Sequence, residues 1–296
     1  MKNKGLWMHY HLMLLPGAIL LFIFNIVPMF GIAIAFQDFV PGKLFWKQRW
    51  AGLANFEFML QIPDSRQIFM NTLVIASLKI VAGIVIPVTF ALLLHEVRTR
   101  WFKRWVQTIV YLPHFMSWVI LSGIILTMFS LDGIVNQVVT LFGAKPIMFM
   151  ASNTWFRPIV VACDTWKEFG FGTIIYLAAL TGINPALYEA AEIDGASRLQ
   201  KLRYITLPGI TTTVVLLSTL SLGNVLNAGF DQIFTLYNPL VYSTGDIIDT
   251  YVYRLGLIQM QYGLATAIGL FKSVIAIVLI VISYRLAYKF ANYRIF

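Results

Sequence analysis

Charged side chains are scarce in this chain. They make up 12% of its 296 residues, whereas soluble domains average about 25%. Apolar residues make up 59%, and the mean hydropathy is +0.76. A chain with so little charge cannot cover its surface in water, so the composition excludes a soluble globular domain and predicts a membrane protein.

Cysteine is nearly absent as well. Cys163 lies alone inside an apolar run, so it cannot form an intrachain disulfide, and we expect it to pack in the core. Gly42-Lys43 lacks the upstream glycine and the following hydroxyl residue of a phosphate-binding loop. No His, Cys or carboxylate cluster has metal spacing. We therefore predict that this chain is not an enzyme and binds no cofactor or metal.

Long apolar runs are present instead. A helix needs about 20 apolar residues to cross the hydrocarbon core, and six segments qualify. They predict an all-α integral membrane protein with six transmembrane helices, at roughly 12–36, 69–94, 105–130, 158–181, 207–229 and 263–288.

The basic residues follow the ends of these runs. They form no continuous stripe, so the net charge of +9 predicts membrane topology and no nucleic-acid partner. One side of the membrane collects twelve, and this majority places both termini and residues 182–206 in the cytosol: Lys2, Lys4, Arg98, Arg100, Lys103, Arg104, Arg198, Lys201, Arg203, Arg285, Lys289 and Arg294. The other side collects seven: Lys43, Lys47, Arg49, Arg66, Lys145, Arg157 and Arg254.

A polar segment, here called the elbow (residues 184–208), separates the fourth and fifth runs. Asn184-Pro185 predicts a helix start, and Gly195 predicts a left-handed stop after Asp194. Ser197 is expected to cap a second short helix, from Arg198 to Tyr204. Thr206-Leu207-Pro208 then repeats the cap-and-proline pattern and is expected to start the fifth span.

Helices this short are marginal in water, so the elbow is expected to dock on a partner. Ala190, Ala191, Gly195 and Ala196 allow close backbone approach, and Glu189 offers a charge. The alternative is an ordinary solvated cytosolic loop.

The elbow carries a longer pattern: Glu189-Ala190-Ala191, three residues, Gly195, nine residues, Ile205, one residue, Leu207-Pro208. This pattern resembles the EAA signature of permease subunits from binding-protein-dependent ABC importers. It departs from many carbohydrate permeases at Thr212, where proline is frequent, and at Leu202, where an aromatic residue is usual.

The resemblance covers essentially the whole chain and is greatest to the carbohydrate permeases that handle oligosaccharides from complex polysaccharides such as pectin or alginate. The segments that carry it outside the elbow are Leu15-Pro16-Gly17, Ala35-Phe36-Gln37-Asp38-Phe39, Gly52-Leu53-Ala54-Asn55-Phe56, Asn71-Thr72-Leu73, Tyr111-Leu112-Pro113-His114-Phe115 and Asp249-Thr250-Tyr251-Val252-Tyr253-Arg254.

This resemblance implies a type I importer fold, with residues 1–296 as a single permease domain in the bacterial cytoplasmic membrane and two short cytosolic coupling helices at about 184–207. It also implies a second permease subunit, generally a different chain, together with an external solute-binding protein and two ATPase subunits that hold ATP and Mg. The residues implied to couple to the ATPase are Glu189, Ala190, Ala191, Asp194, Gly195, Ile205, Leu207 and Pro208. Glu189 would be the main polar anchor, and alternating access would carry an oligosaccharide inward.

Three lysines fall within predicted spans. Lys79 and Lys272 lie about nine or ten residues from the outer side, roughly 14 Å deep, and Lys167 is at similar depth. Buried ionisable groups usually face a cavity or a partner charge. The three could therefore attract an acidic, uronate-containing sugar. The alternative is structural pairing with Asp164 or Glu168.

Amides and aromatics provide the other candidate substrate contacts. Asn224, Asn227 and Asp231 are spaced i, i+3 and i+7, which predicts one helical face in the outer half of the fifth span. Hydrogen bonding between helices is the competing explanation. Candidate stacking surfaces are Trp166, Tyr176 and Phe230, although packing is the commoner role of aromatics in membrane helices.

Three other functions compete with oligosaccharide import. An ion-coupled secondary carrier usually has an internal repeat, and the EAA pattern argues against it. An intramembrane enzyme would need a catalytic constellation, which the spans lack. An ABC permease for another solute, such as a neutral sugar, glycerol phosphate or an amino acid, would share the same elbow.

Overall fold

The structure, a computed structural model, describes residues 4–291 and is mostly helical. Two of the residues used to predict orientation, Lys2 and Arg294, lie outside this range. The α-helices are α1 Lys4–Leu21, α2 Val27–Met29, α3 Ala54–Gln61, α4 Pro63–Glu96, α5 Arg100–Tyr111, α6 Trp118–Met128, α7 Ile134–Leu141, α8 Phe156–Thr181, α9 Pro185–Ile193, α10 Arg198–Lys201, α11 Leu207–Gly223, α12 Phe230–Leu236, α13 Tyr242–Gly245, α14 Ile248–Tyr253 and α15 Tyr262–Ala291.

Tighter and wider helical turns join several of these helices. The π-helical segments are Phe22–Ile26, Leu202–Thr206 and Arg254–Ile258, and the 3₁₀ segments are Phe30–Phe36, Phe45–Lys47, Leu112–Phe115, Phe149–Ala151 and Pro239–Val241. Two short antiparallel strands, β1 Gln37–Asp38 and β2 Arg49–Trp50, pair Gln37 with Trp50 and Asp38 with Arg49.

Four helical stretches of the described chain are long and apolar enough to cross a membrane: Met8–Phe36, Pro63–Glu96, Arg198–Gly223 and Tyr262–Arg285. Two bent pairs would raise the number to six if each counts as one span. In one pair Phe156–Thr181 meets Pro185–Ile193 at 66°, and in the other Arg100–Phe115 meets Trp118–Met128 at 102°.

The third predicted span, 105–130, is strongly bent in the structure, and it is a single span only if this bent pair crosses the membrane as one. Pro113 has no amide hydrogen to continue the ladder, and the chain tightens into the 3₁₀ turn Leu112–Phe115. Ser117 then caps α6, its hydroxyl accepting a hydrogen bond from the Ile120 amide at 3.4 Å. The apolar composition runs through this bend, which is why it was predicted as one span.

Residues 67–250 and 273–291 form the larger of two compact units, and residues 4–66 with 251–272 form the other. One apolar core of the larger unit gathers around the fully buried Phe156, Ile75 and Ile233. A second core, formed by Ala91, Leu94, Tyr176, Leu177, Leu180 and Ile210, joins α4 and α8 to α11. In the smaller unit, the Asn55 amide donates to the carbonyls of Ala35 and Gln37.

Candidate functional site

The elbow begins where the sequence predicts it. Asn184 is the N-cap of α9, its side-chain oxygen accepting a hydrogen bond from the Ala186 amide at 3.1 Å. Pro185 takes the first helical position, where its missing amide hydrogen costs nothing. Both predictions are confirmed.

The first elbow helix ends in a Schellman motif. Gly195 has φ +74°, a left-handed conformation that glycine adopts without strain. The Gly195 amide donates to the Glu192 carbonyl at 3.1 Å, and the Ala196 amide donates to the Ala191 carbonyl at 2.8 Å. These two bonds satisfy carbonyls that the helix end would otherwise leave open, so α9 stops at a fixed point.

Ser197 caps the next helix, as predicted. It forms a capping box with Gln200, in which each side chain bonds the other residue's backbone amide, at 3.3 and 2.7 Å. Local hydrogen bonds within four residues are enough to start α10.

The predicted boundary before the fifth span is wrong. Thr206 has helical backbone angles and does not cap a new helix, and the chain stays helical from Arg198 to Gly223. The Leu207 amide bonds the Leu202 carbonyl, one residue further back than in an α-helix. Pro208 has no amide hydrogen to donate, and the wider π-turn before it lets the helix continue past the proline. The second elbow helix is thus continuous with the fifth span.

Side-chain bonds hold the two elbow helices together. The Tyr188 hydroxyl lies 2.9 Å from that of Thr206, and the Lys201 ammonium lies 2.7 Å from the Glu192 carboxylate. The hydrogen bond from Lys201 and its positive charge lower the pKa of Glu192, and Arg98 acts in the same direction from a greater distance. The elbow is therefore a folded unit rather than a loose loop.

The elbow exposes large apolar side chains on its surface. Ile193 is 87% exposed and Leu199 is 72% exposed. Glu189 and Asp194 are also exposed, and within residues 4–291 neither side chain has a hydrogen bond or ion pair. Exposed apolar side chains beside uncompensated carboxylates are typical of a docking surface.

Beyond the elbow, the fifth predicted span ends early. Helix α11 stops at Gly223, residues 224–229 are irregular, and α12 starts after Gly229, which has φ +91°. Asn224, Asn227 and Asp231 therefore do not share one helical face, and that prediction is wrong. All three side chains are nevertheless exposed at the break.

Lys79 on α4 forms hydrogen bonds with the residues around this break. Its ammonium donates to the Ala228 carbonyl at 2.7 Å and to the Gln232 side chain, and it forms an ion pair with Asp164 at 2.9 Å. The Lys79 side chain is 9% exposed. These partners match the structural-pairing alternative for this lysine, because its charge is already compensated inside the protein.

Lys167 is paired as well. Its ammonium lies 2.8 Å from the Glu168 carboxylate and donates to the His114 carbonyl at 2.9 Å. The other Glu168 oxygen lies 2.7 Å from Nδ1 of His114, whose ring stacks on Phe171. This cluster ties the bend between α5 and α6 to α8. Lys272 belongs to the smaller unit and is half-buried.

The packing roles of three other polar residues of the larger unit, Asn71, Arg157 and Gln232, were missed from the sequence. Gln232 is fully buried and bonds both Lys79 and the Val160 carbonyl. Arg157 donates to the Asn71 side chain and to the Thr244 carbonyl, and this joins α8 and α4 to α13. The sequence showed polar side chains within or beside apolar runs, which indicates that each has a polar partner. It did not show which residue that partner is, because the partners are far apart in the chain.

Of the candidate stacking residues, Tyr176 is buried in the second core, and Phe230 lies just after the break. Trp166 is 49% exposed and lines an open cavity of about 590 Å³. The other lining side chains are mostly apolar, among them Leu78, Ile86, Val161 and Phe169.

Known proteins resemble this arrangement over the whole chain. Residues 80–292 match the family described as binding-protein-dependent transport system inner membrane component. The polygalacturonan/rhamnogalacturonan transport system permease protein YteP of Bacillus subtilis (strain 168) is 41% identical over 289 residues, which cover 97% of this chain and 90% of that protein.

Two solved structures have the same fold. A chain of a bacterial ABC transporter involved in the import of the acidic polysaccharide alginate is 40% identical, with a TM-score of 0.90 and 97% of both chains covered. A chain from a bacterial alginate ABC transporter in complex with alginate pentasaccharide-bound periplasmic protein is 39% identical, with a TM-score of 0.88. It covers 97% of this chain and 96% of its own.

The family match spans most of the chain and already includes the elbow, and the likeness to YteP and the alginate transporter extends it to the first helices. The chain therefore belongs to the family of inner membrane components of binding-protein-dependent transport systems, as an ABC transporter permease with a type I fold.

Proposed function

We propose that this permease takes up acidic, uronate-containing oligosaccharides by ATP-driven alternating access, with residues 1–296 acting as one permease domain in the cytoplasmic membrane. The observation that carries the proposal is the elbow. It is internally cross-linked, yet it leaves Ile193, Leu199 and the Glu189 carboxylate exposed without a partner among the described residues. Such a surface needs a protein to cover it.

The partner proposed for the elbow is an ATPase subunit that holds ATP and Mg. In this proposal Glu189 is the polar anchor, while Ala190 and Ala191 permit close approach. The continuous helix Arg198–Gly223 supports a mechanical link, because a helix of 26 residues transmits displacement along its axis. Closure of two ATPases would move Gly195, Ile205, Leu207 and Pro208 together with the span.

Two further partners complete the proposed assembly. A second permease subunit, generally a different chain, would form the other half of the pathway. An external solute-binding protein would deliver the sugar, and the alginate transporter crystallised with its sugar-bound periplasmic protein supports this expectation.

The acidic class of substrate is supported by the relatives. YteP is named for polygalacturonan and rhamnogalacturonan, and the structural neighbours are named for alginate. The ion pairs of Lys79 and Lys167 weaken the idea of a free lysine ring as the recognition element. We assign the sugar contact instead to the exposed Asn224, Asn227 and Asp231 at the break, with Trp166 as a further candidate, and Lys272 stays a separate prediction.

The elbow assignment can be tested by ATP hydrolysis in the reconstituted transporter. We expect Glu189→Ala to reduce sugar-stimulated hydrolysis at least tenfold, about 1.4 kcal/mol of coupling, or to abolish assembly with the ATPase. Glu192→Ala is the matched control, because it removes the same charge from the same helix. The Glu192 carboxylate already pairs with Lys201 inside the elbow and is not the proposed anchor. Equal activity of wild type and Glu189→Ala would refute the anchor.

The substrate class needs a separate measurement. Uptake into proteoliposomes should be compared for uronic and neutral oligosaccharides of equal length, each with the binding protein present. Stimulation by uronic sugars alone would support the proposal. Uptake of neutral sugars only would favour the other reading, a permease for a different solute with the same elbow.

A further inference from the structure

A cluster of positive charge lies at the start of α5, in what we call the basic-aromatic segment (residues 98–105). It contains Arg98, Arg100, Lys103 and Arg104, and none of these four has an ion pair or side-chain hydrogen bond within residues 4–291. By contrast, Lys79, Lys167 and Lys201 each have a carboxylate within 3 Å. Four like charges within seven residues repel one another unless an anion lies among them.

The aromatic side chains of the segment are also uncovered. Trp101 is 68% exposed and Trp105 is 53% exposed, with ring centroids 5.9 Å apart. Ile109 and Leu112 continue the same stripe at 63% and 64% exposure. Positions i, i+4, i+8 and i+11 fall on one side of a helix, so the stripe runs along the full length of α5 and into the following turn.

The opposite side of α5 is packed tightly on α8. A Cβ built at Gly170 would overlap the Val110 carbonyl, so the two backbones are in close contact there. Val106 packs on the core that contains Tyr176 and Leu177. The packing fixes which side of α5 is left open, and that side carries the Trp101 stripe.

The basic side chains and the apolar stripe lie along the same helix, with the basic side chains at its N-terminal end. Arg100 and Arg104 are one turn apart, so both lie next to the Trp101–Trp105 pair at the N-terminal end of α5. The apolar stripe follows toward the C-terminal end. The helix direction then changes by 102°, so α5 and α6 cannot both run along the bilayer normal.

We propose that the basic-aromatic segment is a binding site for an anionic phospholipid of the cytosolic leaflet. The headgroup phosphate would lie among Arg98, Arg100 and Arg104, and the acyl chains would cover Trp101, Trp105 and Ile109. Clustered basic residues beside a span attract anionic headgroups, and tryptophan is enriched at that depth. A free phosphate or a nucleic acid would satisfy the charges but leave the apolar stripe uncovered.

The site adjoins the elbow electrostatically, since Arg98 is close enough to act on Glu192. A lipid headgroup at Arg98 therefore lies near the surface that we propose to dock the ATPase. The lipid proposal does not depend on the transport proposal, because lipid preference is measured without sugar or ATP.

The test uses the assembled transporter in bilayers of phosphatidylcholine that contain a minor fraction of brominated lipid. Bromine quenches nearby tryptophan fluorescence, and subtracting a Trp101→Phe/Trp105→Phe variant isolates the signal of these two rings. We expect brominated phosphatidylglycerol to quench at least threefold more effectively than brominated phosphatidylcholine at equal fraction, because each basic residue near the surface adds to the attraction for an anionic headgroup.

Two charge variants and a control complete the design. Arg98→Gln/Arg100→Gln/Arg104→Gln should remove the preference for phosphatidylglycerol, whereas Arg98→Lys/Arg100→Lys/Arg104→Lys should retain most of it. Lys43→Gln/Lys47→Gln/Arg49→Gln removes the same charge from another loop and should change nothing. Equal quenching by both lipids in the wild type would overturn the proposal. So would a glutamine variant that keeps its lipid preference but loses the ATPase, since the segment would then be a protein interface.

Discussion

At the scale of single residues, Lys79 shows how a charge is tolerated in an apolar surrounding. Its ammonium has three acceptors, one on Asp164, one on Gln232 and one on the Ala228 backbone. The Gln232 side chain belongs to α12, and the Ala228 carbonyl belongs to the irregular segment before it. The lysine thus supplies hydrogen bonds that the broken helix cannot make for itself.

We predict that Lys79→Met destabilises the protein by about 3 kcal/mol, because it leaves the Asp164 carboxylate and the Ala228 carbonyl without their partner. Lys201→Met is the matched control, since its carboxylate partner Glu192 is exposed to solvent and should tolerate the loss. Thermal unfolding in detergent would measure both.

The double variant Lys79→Met/Asp164→Leu separates pairing from packing. If the ion pair is the main cause, the double variant should recover part of the loss, because no uncompensated charge remains. A double variant as unstable as the sum of the two single ones would argue that the two residues act independently.

At the scale of helices, the close approach of α5 and α8 determines what α5 presents outward. Gly170 is the contact point, with the Val110 carbonyl and side chain in the space that a Cβ would occupy. The elbow shows a different case, in which local caps start and end two short helices and side-chain bonds join them.

We predict that Gly170→Ala costs about 1–3 kcal/mol, the usual range for an overpacked contact, because α5 must move away from α8. Gly123→Ala is the control. A Cβ there meets nothing within 4 Å, and alanine is the better helix former, so its effect should be neutral or slightly stabilising. The midpoints of thermal unfolding would be compared. Equal midpoints for both variants would contradict the close contact.

At the scale of the whole molecule, orientation in the membrane follows from the distribution of basic residues, and it stays a prediction. The half-buried Cys163 is the only cysteine, so a Cys163→Ser background is free of native thiols. Leu199 on the elbow and Lys43 in the β1–β2 loop are both exposed and suit replacement by cysteine.

We predict that, in cells that express this chain without its proposed ATPase partner, a membrane-impermeant maleimide labels Lys43→Cys in intact cells and labels Leu199→Cys only after the membrane is permeabilised. The reason is the positive-inside rule, which places the elbow and the basic-aromatic segment in the cytosol. Labelling in the reverse order would invert the topology and remove the proposed ATPase contact.

The sequence by itself determined the membrane class, the apolar runs and the caps at Asn184, Gly195 and Ser197. Capping bonds join residues two to five apart, so their partners are visible in the sequence. The family pattern across the elbow was likewise readable, because it is a matter of residue identity at fixed spacing.

Only the tertiary structure decided where the long helices break and which lysines form ion pairs with carboxylates. The break after Gly223 is held by Lys79, which is 149 residues from Ala228 in the chain. Hydropathy does not register this break, since Val225, Leu226 and Ala228 continue the apolar run past Asn224, while the Ala228 carbonyl is bonded from α4. Partners so distant in sequence are chosen by packing, and local spacing carries no trace of that choice.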